Sequence, residues 1–362
     1  MTRIAGNRLS PDHPAPHDGP VGGPGVWYGP DMQSSDEWVY ALSEAERREI
    51  VEAMRYALAH RDDIAEITAL DFPLPTLGRR FHDFQQEVVN GRGFVLLRNF
   101  PVEDFSFREI ACMYWGFGTH IGSARSQNAR GHLLGHVTDI TDSFDDPSAR
   151  GYLSNRQLYY HSDSVDLVSL LCLRQAKRGG LSSIASSYTI HDEMWRRRPD
   201  LAKILYGPVP RSRRKEIPVG KGPWYELPVF NWCGGRLSIS YLRQFIDDAQ
   251  EHADVGPHDA ALVEALDMVN TLAGDPEIYL SMEFRPGDIQ LLHNHQILHN
   301  RTAYEDWPER ERRRYLLRLW LSPPGGIPLP DAFAERYGSV TPGARGGVVV
   351  KDTKLQVPLT AF

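Results

Sequence analysis

Short apolar runs, set apart by polar, Gly- and Pro-bearing stretches, occupy this chain from its middle onward, and they constrain its fold more than any other feature. Residues 158–160, 165–173, 237–241, 278–284, 289–292 and 315–321 read as strands. The amino-terminal third is different. A capping box, Ser43-x-x-Glu46, opens a helical pattern in which Ile50, Met54 and Leu58 share one face. A second helical pattern at 79–89 leads into a buried strand at 93–97, and further helices are expected at 108–115, 192–205 and 260–272. Helices first and strands later predict a mixed α and β chain with a sheet core and flanking helices. Residues 1–30, rich in Pro, Gly and His, read as an extended arm or lid. Residues 31–362 read as a single domain with an insertion near 184–277.

Composition narrows the partners. Forty basic residues against 47 acidic ones give a formal charge of -7, which opposes general adhesion to nucleic acid. The basic run from Arg211 to Lys215 reads as a solvated loop. No stretch has the length and apolar character of a membrane span or a signal peptide. Cys112, Cys172 and Cys233 lie far apart and make no zinc spacing, and Cys172 sits in an apolar run where a buried, inert thiol is expected. A reducing cytoplasmic setting and a small-molecule substrate fit these features. Self-association is left open.

A histidine two residues before a carboxylate is a weak metal signal alone, because this composition yields about two such pairs by chance. Four occur: His60/Asp62, His161/Asp163, His191/Glu193 and His252/Asp254. Side chains two apart share a face on a strand but diverge by about 200° on a helix. His60 closes the helix that Ser43 opens, His191 opens the helix expected at 192–205, and His252 lies near a helix end. His161/Asp163 instead joins two strand-like runs. A second histidine would complete a face of two imidazoles and one carboxylate, leaving positions open on a metal. His293, His295 and His299 are the candidates, and the residues that follow favour His299.

After His299 comes a polar loop at 300–311 and then Arg314-Tyr315-Leu316-Leu317-Arg318-Leu319-Trp320-Leu321. On a strand Arg314, Leu316, Arg318 and Trp320 share a face. Two arginines among apolar neighbours require anions, and guanidinium pairs with carboxylate through parallel hydrogen bonds. The anion is either a ligand or a protein carboxylate such as Asp288 or Glu283.

Tyr160-His161-Ser162-Asp163, Gly179-Gly180-Leu181-Ser182-Ser183, His299-Asn300-Arg301-Thr302 and the 314–318 segment together resemble the taurine dioxygenase and clavaminate synthase group of iron(II)/2-oxoglutarate oxygenases. The resemblance spans roughly residues 94–324. It implies a double-stranded β-helix, or jelly-roll, core. It implies Fe(II) held by His161, Asp163 and His299, and 2-oxoglutarate bound through Arg314 and Ser182, with O2 as the other cosubstrate. Arg318 matches a position that in relatives helps hold the substrate anion, and Gln157 one that contacts substrate. A carboxylate at 163 argues against halogenation, for which relatives carry a small residue there. The implied reaction couples decarboxylation of 2-oxoglutarate to succinate with hydroxylation, or a related C–H oxidation, of a small carboxylate-bearing molecule. The stretch from Pro228 to Arg243 reads as a hairpin followed by Tyr241 and Arg243 on one strand face, where Arg243 meets either a substrate carboxylate or a surface acid. Trp224, Tyr225 and Trp232 either line a pocket or pack in the core. The alternatives are a zinc-dependent hydrolase and a non-catalytic jelly-roll binding protein using the same His/Asp/His site.

Overall fold

A computed structural model describes residues 16–140 and 153–361. The short helix α1 (Gly29–Gln33) and strand β1 (Val39–Ala41) precede α2 (Glu44–His60), whose capping box forms as its sequence predicts: Glu46 N–H donates to Ser43 Oγ, and Ser43 N–H donates to the Glu46 carboxylate. Then come α3 (Leu77–Asn90), β2 (Phe94–Arg98), α4 (Phe107–Ile121), β3 (Ser123–Ala124) and β4 (Leu134–Val137). The middle of the chain holds β5 (Leu158–His161), β6 (Leu167–Arg174), β7 (Arg178–Gly179), β8 (Ser182–Ser186), α5 (Ser187–Arg197) and α6 (Pro199–Ile204). The hairpin strands β9 (Pro210–Ser212) and β10 (Trp224–Glu226) follow, then β11 (Phe230–Cys233), β12 (Arg236–Ile239), α7 (Arg243–Ala249) and α8 (Ala260–Ala273). The last part runs through β13 (Leu280–Met282), β14 (Ile289–His293), β15 (Ile297–Arg301), β16 (Tyr304–Glu305), β17 (Tyr315–Ser322) and α9 (Ala334–Tyr337).

Two sheets face each other. The larger has the order β1-β2-β14-β6-β17-β3, with β4 also paired to β17; the smaller has the order β13-β8-β15-β5. Alternation along each strand sends side chains to opposite faces, and three cores result. Phe94, Leu96, Val168, Leu292, Leu316 and Trp320 of the larger sheet meet Ile184, Leu280 and Ile297 of the smaller one in the interior. Val95, Leu97, Leu171, Leu317 and Leu319 point the other way, onto α2, α3 and α4. Tyr160, Ala185 and Leu298 leave the smaller sheet outward, onto α5, α6 and α8. This is the expected jelly-roll core with flanking helices.

While Tyr225 of β10 joins the core behind the larger sheet, the insertion's helices α5, α6 and α8, with β11 and β12, therefore pack outside the smaller one. The described part of the amino-terminal arm docks there too. Val21 and Gly22 N–H donate to the Asp192 carboxylate, Trp27 N–H donates to Thr189 Oγ1, and Tyr28 Oη donates to Glu193. Residues 1–15 of the arm, and Phe362, lie outside the described residues.

Several expectations need correcting. The helix expected from 192 to 205 is two helices, broken at Arg198, and it begins at Ser187, so His191 lies inside it. The stretch after His299 is not all loop, because β15 runs through Arg301 and β16 follows. Arg211 and Arg213 are buried rather than solvated. Arg211 donates to the carbonyls of Leu227, Pro228 and Ser240, while Arg213 covers the Tyr225 ring and pairs with Glu335. Guanidinium groups can be interior when backbone oxygens or a carboxylate satisfy their fixed fork of donors.

Candidate active site

β5 and β15 are antiparallel neighbours, and their register sets His161 directly opposite His299. The two imidazole rings lie 4.2 Å apart between centroids. Asp163 follows β5 by two residues and turns its carboxylate back to both rings. Its Oδ1 is 3.8 Å from His161 Nε2 and its Oδ2 is 3.9 Å from His299 Nε2. One ligand atom from each residue lies within 4.8 Å of the others, a spacing at which one ion can bridge all three.

The neighbours fix each ligand. His161 Nδ1 lies 2.8 Å from the Tyr159 carbonyl, which places the ring proton on Nδ1 and leaves the Nε2 lone pair free to meet a metal. Asp163 Oδ2 accepts from Trp320 Nε1 at 2.9 Å and from Arg318 Nη1 at 3.2 Å. Its backbone N–H donates to Asn294 Oδ1, and Asn294 Nδ2 donates onward to the Val165 carbonyl. Burial raises the pKa of Asp163, but Arg318, the two imidazoles and Trp320 outweigh it and hold the carboxyl at about 2. Burial drives His299 down to about 3, aided by His161 and Arg318 and opposed by Asp163. A neutral imidazole beside an ionised carboxylate is the protonation state that metal binding requires.

His293 and His295 are not part of this cluster. His293 ends β14 in the larger sheet, and His295 Nε2 faces Asp166 Oδ1 at 2.9 Å in a buried network with Ser322 and Arg345.

Arg314 enters the interior just before β17. It is buried, burial pulls its pKa below the ordinary arginine value, and its Nη1 has no hydrogen-bond partner among the described residues. Its Nη2 makes a long contact, 3.5 Å, to the Gly180 carbonyl, and the guanidinium lies against Tyr304. The protein carboxylates considered as its partners are otherwise engaged: Asp288 pairs with Arg98, and Glu283 accepts from Gln175. Gly180 is needed for this arrangement. It sits at φ +71°, and a Cβ there would lie 2.9 Å from Arg314 Nε. Ser182, buried in β8, pairs across to Arg301 of β15. A two-histidine, one-carboxylate face beside a buried guanidinium with an unmet donor fits Fe(II) and an anionic chelator.

The remaining predicted residues lie elsewhere or are already engaged. Arg318 donates its Nε to Gln127 Oε1 at 2.7 Å as well as contacting Asp163, so it braces the cluster. Gln157 is exposed just ahead of β5. Arg243 is not on a strand, because β12 ends at Ile239 and Arg243 opens α7, where it pairs with Asp247 and Asp267. Tyr225 is core and Trp232 stacks on His17.

A family model described as "Taurine catabolism dioxygenase TauD, TfdA family" matches residues 59–320. FR-33289 synthase of Streptomyces rubellomurinus is 31% identical over 325 residues, covering 88% of this chain and 95% of that protein. Uridine-5'-phosphate dioxygenase of an Amycolatopsis species is 31% identical over 198 residues, 52% of this chain and 70% of the relative. Among solved structures, asparagine oxygenase in complex with Fe(II), 3-hydroxyasparagine and succinate superposes with a TM-score of 0.61 at 15% identity, covering 79% of this chain and 93% of that one. The non-heme iron oxygenase OrfP in complex with Fe and alpha-ketoglutaric acid gives a TM-score of 0.59 at 14% identity, over 78% and 93%.

Proposed function

The chain belongs to the TauD, TfdA family of Fe(II)- and 2-oxoglutarate-dependent dioxygenases, and on that premise we propose that His161, Asp163 and His299 hold the iron while Arg314, with Ser182, anchors the distal carboxylate of 2-oxoglutarate. The observation that carries the assignment is the convergence of the three ligand atoms beside a buried arginine whose Nη1 lacks a partner among the described residues. Family membership sets aside the hydrolase and non-catalytic readings.

When bound, Fe(II) would activate dioxygen, the oxidant, with two of its four electrons drawn from 2-oxoglutarate as it is decarboxylated to succinate and two from the substrate. The protein's own part is positional. Tyr159 fixes the tautomer of His161, Trp320 and Arg318 hold Asp163 Oδ2 and so aim the carboxylate, and Asn294 fixes the loop that carries it. Arg314 and Ser182 are buried between the sheets, where electrostatic contacts with the cosubstrate would be stronger than in water.

The substrate we assign is a small carboxylate-bearing molecule of amino-acid type. Asparagine oxygenase and OrfP, which share the fold, are described with hydroxylated asparagine and arginine bound. The exposed Gln157 borders the approach to His161 and is assigned a substrate contact on position alone. Residues 31–362 are assigned to one oxygenase domain, supported by the family match and by cores that run through both sheets. Among the described residues no helix is long and apolar enough to cross a membrane.

The test is anaerobic loading with Fe(II) and 2-oxoglutarate, followed by exposure to oxygen. A visible charge-transfer band and succinate release are expected. His161→Ala should abolish the band by removing iron, whereas Arg314→Ala should keep iron and raise the 2-oxoglutarate requirement. Equal loss of iron in both variants would contradict the assigned roles.

A further inference from the structure

A second arginine enters the same interior. Arg301 lies two residues beyond His299 on β15 and directly opposite Ser182 on β8, so its side chain leaves the sheet on the face that carries His299 and Ser182. Arg301 is buried. Its Nη2 donates to the Arg156 carbonyl, but Nε and Nη1 have no partner among the described residues. The guanidinium carbon sits 4.7 Å from the centre of the Tyr304 ring, and that of Arg314 sits 5.3 Å from the same centre. Tyr304 is itself buried, with its hydroxyl also unmet.

Two buried guanidiniums thus flank one buried tyrosine, and Arg301 Nε and Nη1 and Arg314 Nη1 have no carboxylate or carbonyl partner among the described residues. Buried donors of this kind are costly unless an acceptor meets them, and two guanidinium charges raise that cost. Asp139 attracts Arg301 and Asp306 attracts Arg314 electrostatically. Asp306 Oδ1 instead accepts from the backbone N–H groups of Arg314 and Trp307. The anion of a ligand would supply the counter-charge that the described residues lack. Position says which end of which ligand. Arg301 shares Tyr304 with Arg314 and faces Ser182, whereas Arg318 is the arginine turned to the metal side through Asp163.

We propose that Arg301 is a second anchor for the distal carboxylate of 2-oxoglutarate, acting with Arg314 and the Tyr304 hydroxyl, and that this pair of cations selects a dicarboxylic over a monocarboxylic 2-oxo acid. The proposal rests on 2-oxoglutarate occupying this interior, as assigned above.

The experiment is anaerobic calorimetry on the Fe(II)-loaded protein with two ligands, 2-oxoglutarate and 2-oxobutanoate, which keeps the chelating end but lacks the distal carboxylate. Arg301→Gln should weaken 2-oxoglutarate by about 10-fold or more, the scale of a lost charged hydrogen bond, and leave 2-oxobutanoate unchanged. Arg301→Lys, which keeps the charge but not the fork of donors, should fall between. If Arg301→Gln does not fold, as a thermal melt would reveal, the lysine variant decides by the same two-ligand comparison. Equal weakening of both ligands, or unchanged 2-oxoglutarate affinity, overturns the role of Arg301. Failure of the unaltered protein to bind 2-oxoglutarate is a different result, and it removes the assignment of the interior itself.

Discussion

At the scale of single residues, the proposed ligands could be picked out of the sequence because their chemistry is rare and their geometry testable, whereas the residues packed around them could not. His161 and Asp163 stand out among four similar pairs because only they sit at the end of strand-like backbone, and His299 was reached through its distance to Arg314. Trp320 and Asn294 gave no such signal, since an apolar strand residue and a turn asparagine have ordinary structural explanations. Arg301 was hidden for a related reason: it follows His299 in a polar stretch, where an arginine reads as solvated, and only the length of β15 carries it inside. Trp320 offers a direct check. Trp320→Phe removes the Nε1–H that donates to Asp163 Oδ2 but keeps an aromatic ring in the interior. Loss of an outer hydrogen bond to a metal ligand typically weakens the metal by about 10- to 100-fold. A titration of the metal-free protein with Fe(II) under anaerobic conditions should show a loss in that range; unchanged affinity would mean that Arg318 alone orients the carboxylate. Gly180→Ala tests the cosubstrate side. A Cβ 2.9 Å from Arg314 Nε, at a positive φ, must displace one of them. The expected result is a higher KM for 2-oxoglutarate with iron affinity intact, measured by succinate release and metal titration on the same sample.

At the scale of elements, periodicity found most of the strands and helices, and it found which side of each faces the interior. The alternation 314/316/318/320 against 315/317/319/321 is reproduced by the two cores that β17 separates. Periodicity cannot report which sheet a strand joins. β14 and β15 are joined by a short turn yet lie in different sheets, because Asn294 and His295 bond across to the 163–166 segment and hold the chain at the crossing. Charge patterns failed where backbone carbonyls substitute for water, as at Arg211. Arg345 is a similar case, and its consequence is measurable. It is fully buried, donates to Asp166 Oδ1 at 2.8 Å and to the carbonyls of Ile327 and Val340, and so ties the segment after β17 to the strand that follows the metal loop. Arg345→Met strands the Asp166 carboxylate without its main cation. Removing one partner of a buried pair costs about 3–5 kcal/mol. Urea unfolding should show a loss of that order, and a loss below about 1 kcal/mol, the value of a surface pair, would mean that His295 and Ser322 suffice to hold Asp166.

At the scale of the whole molecule, stability should depend on pH through imidazoles that the fold keeps neutral. His136 shows how this arises. Its Nε2 lies 3.0 Å from the Pro358 carbonyl, so that nitrogen carries the proton, and Nδ1 accepts from the Tyr315 hydroxyl at 2.6 Å. The ring thereby joins β4, β17 and the carboxyl-terminal segment. Burial lowers its pKa to about 4, and burial lowers His293 to about 3. An unfolded histidine titrates near 6.5. Between about 6.5 and 4 the unfolded chain therefore takes up protons that the folded chain refuses, and the folded state loses ground as pH falls through that window. Each such group contributes a slope of up to about 1.4 kcal/mol per pH unit. Carboxylates held low by their partners, such as Asp166 and Glu46, add losses in the same direction only at lower pH, beginning in the ordinary carboxylate range at about 4 and continuing below it. The onset near pH 6.5 is thus specific to the histidines. Urea midpoints of the chelator-treated protein should be flat above pH 7 and fall steadily from pH 6.5 to 5. His136→Gln keeps a donor for Pro358 and an acceptor for Tyr315 but cannot titrate, so its midpoint should fall less steeply over the same window. A variant slope equal to that of the unaltered protein would show that His136 is already charged in the folded state, and that the carboxyl-terminal segment is not held by a neutral imidazole.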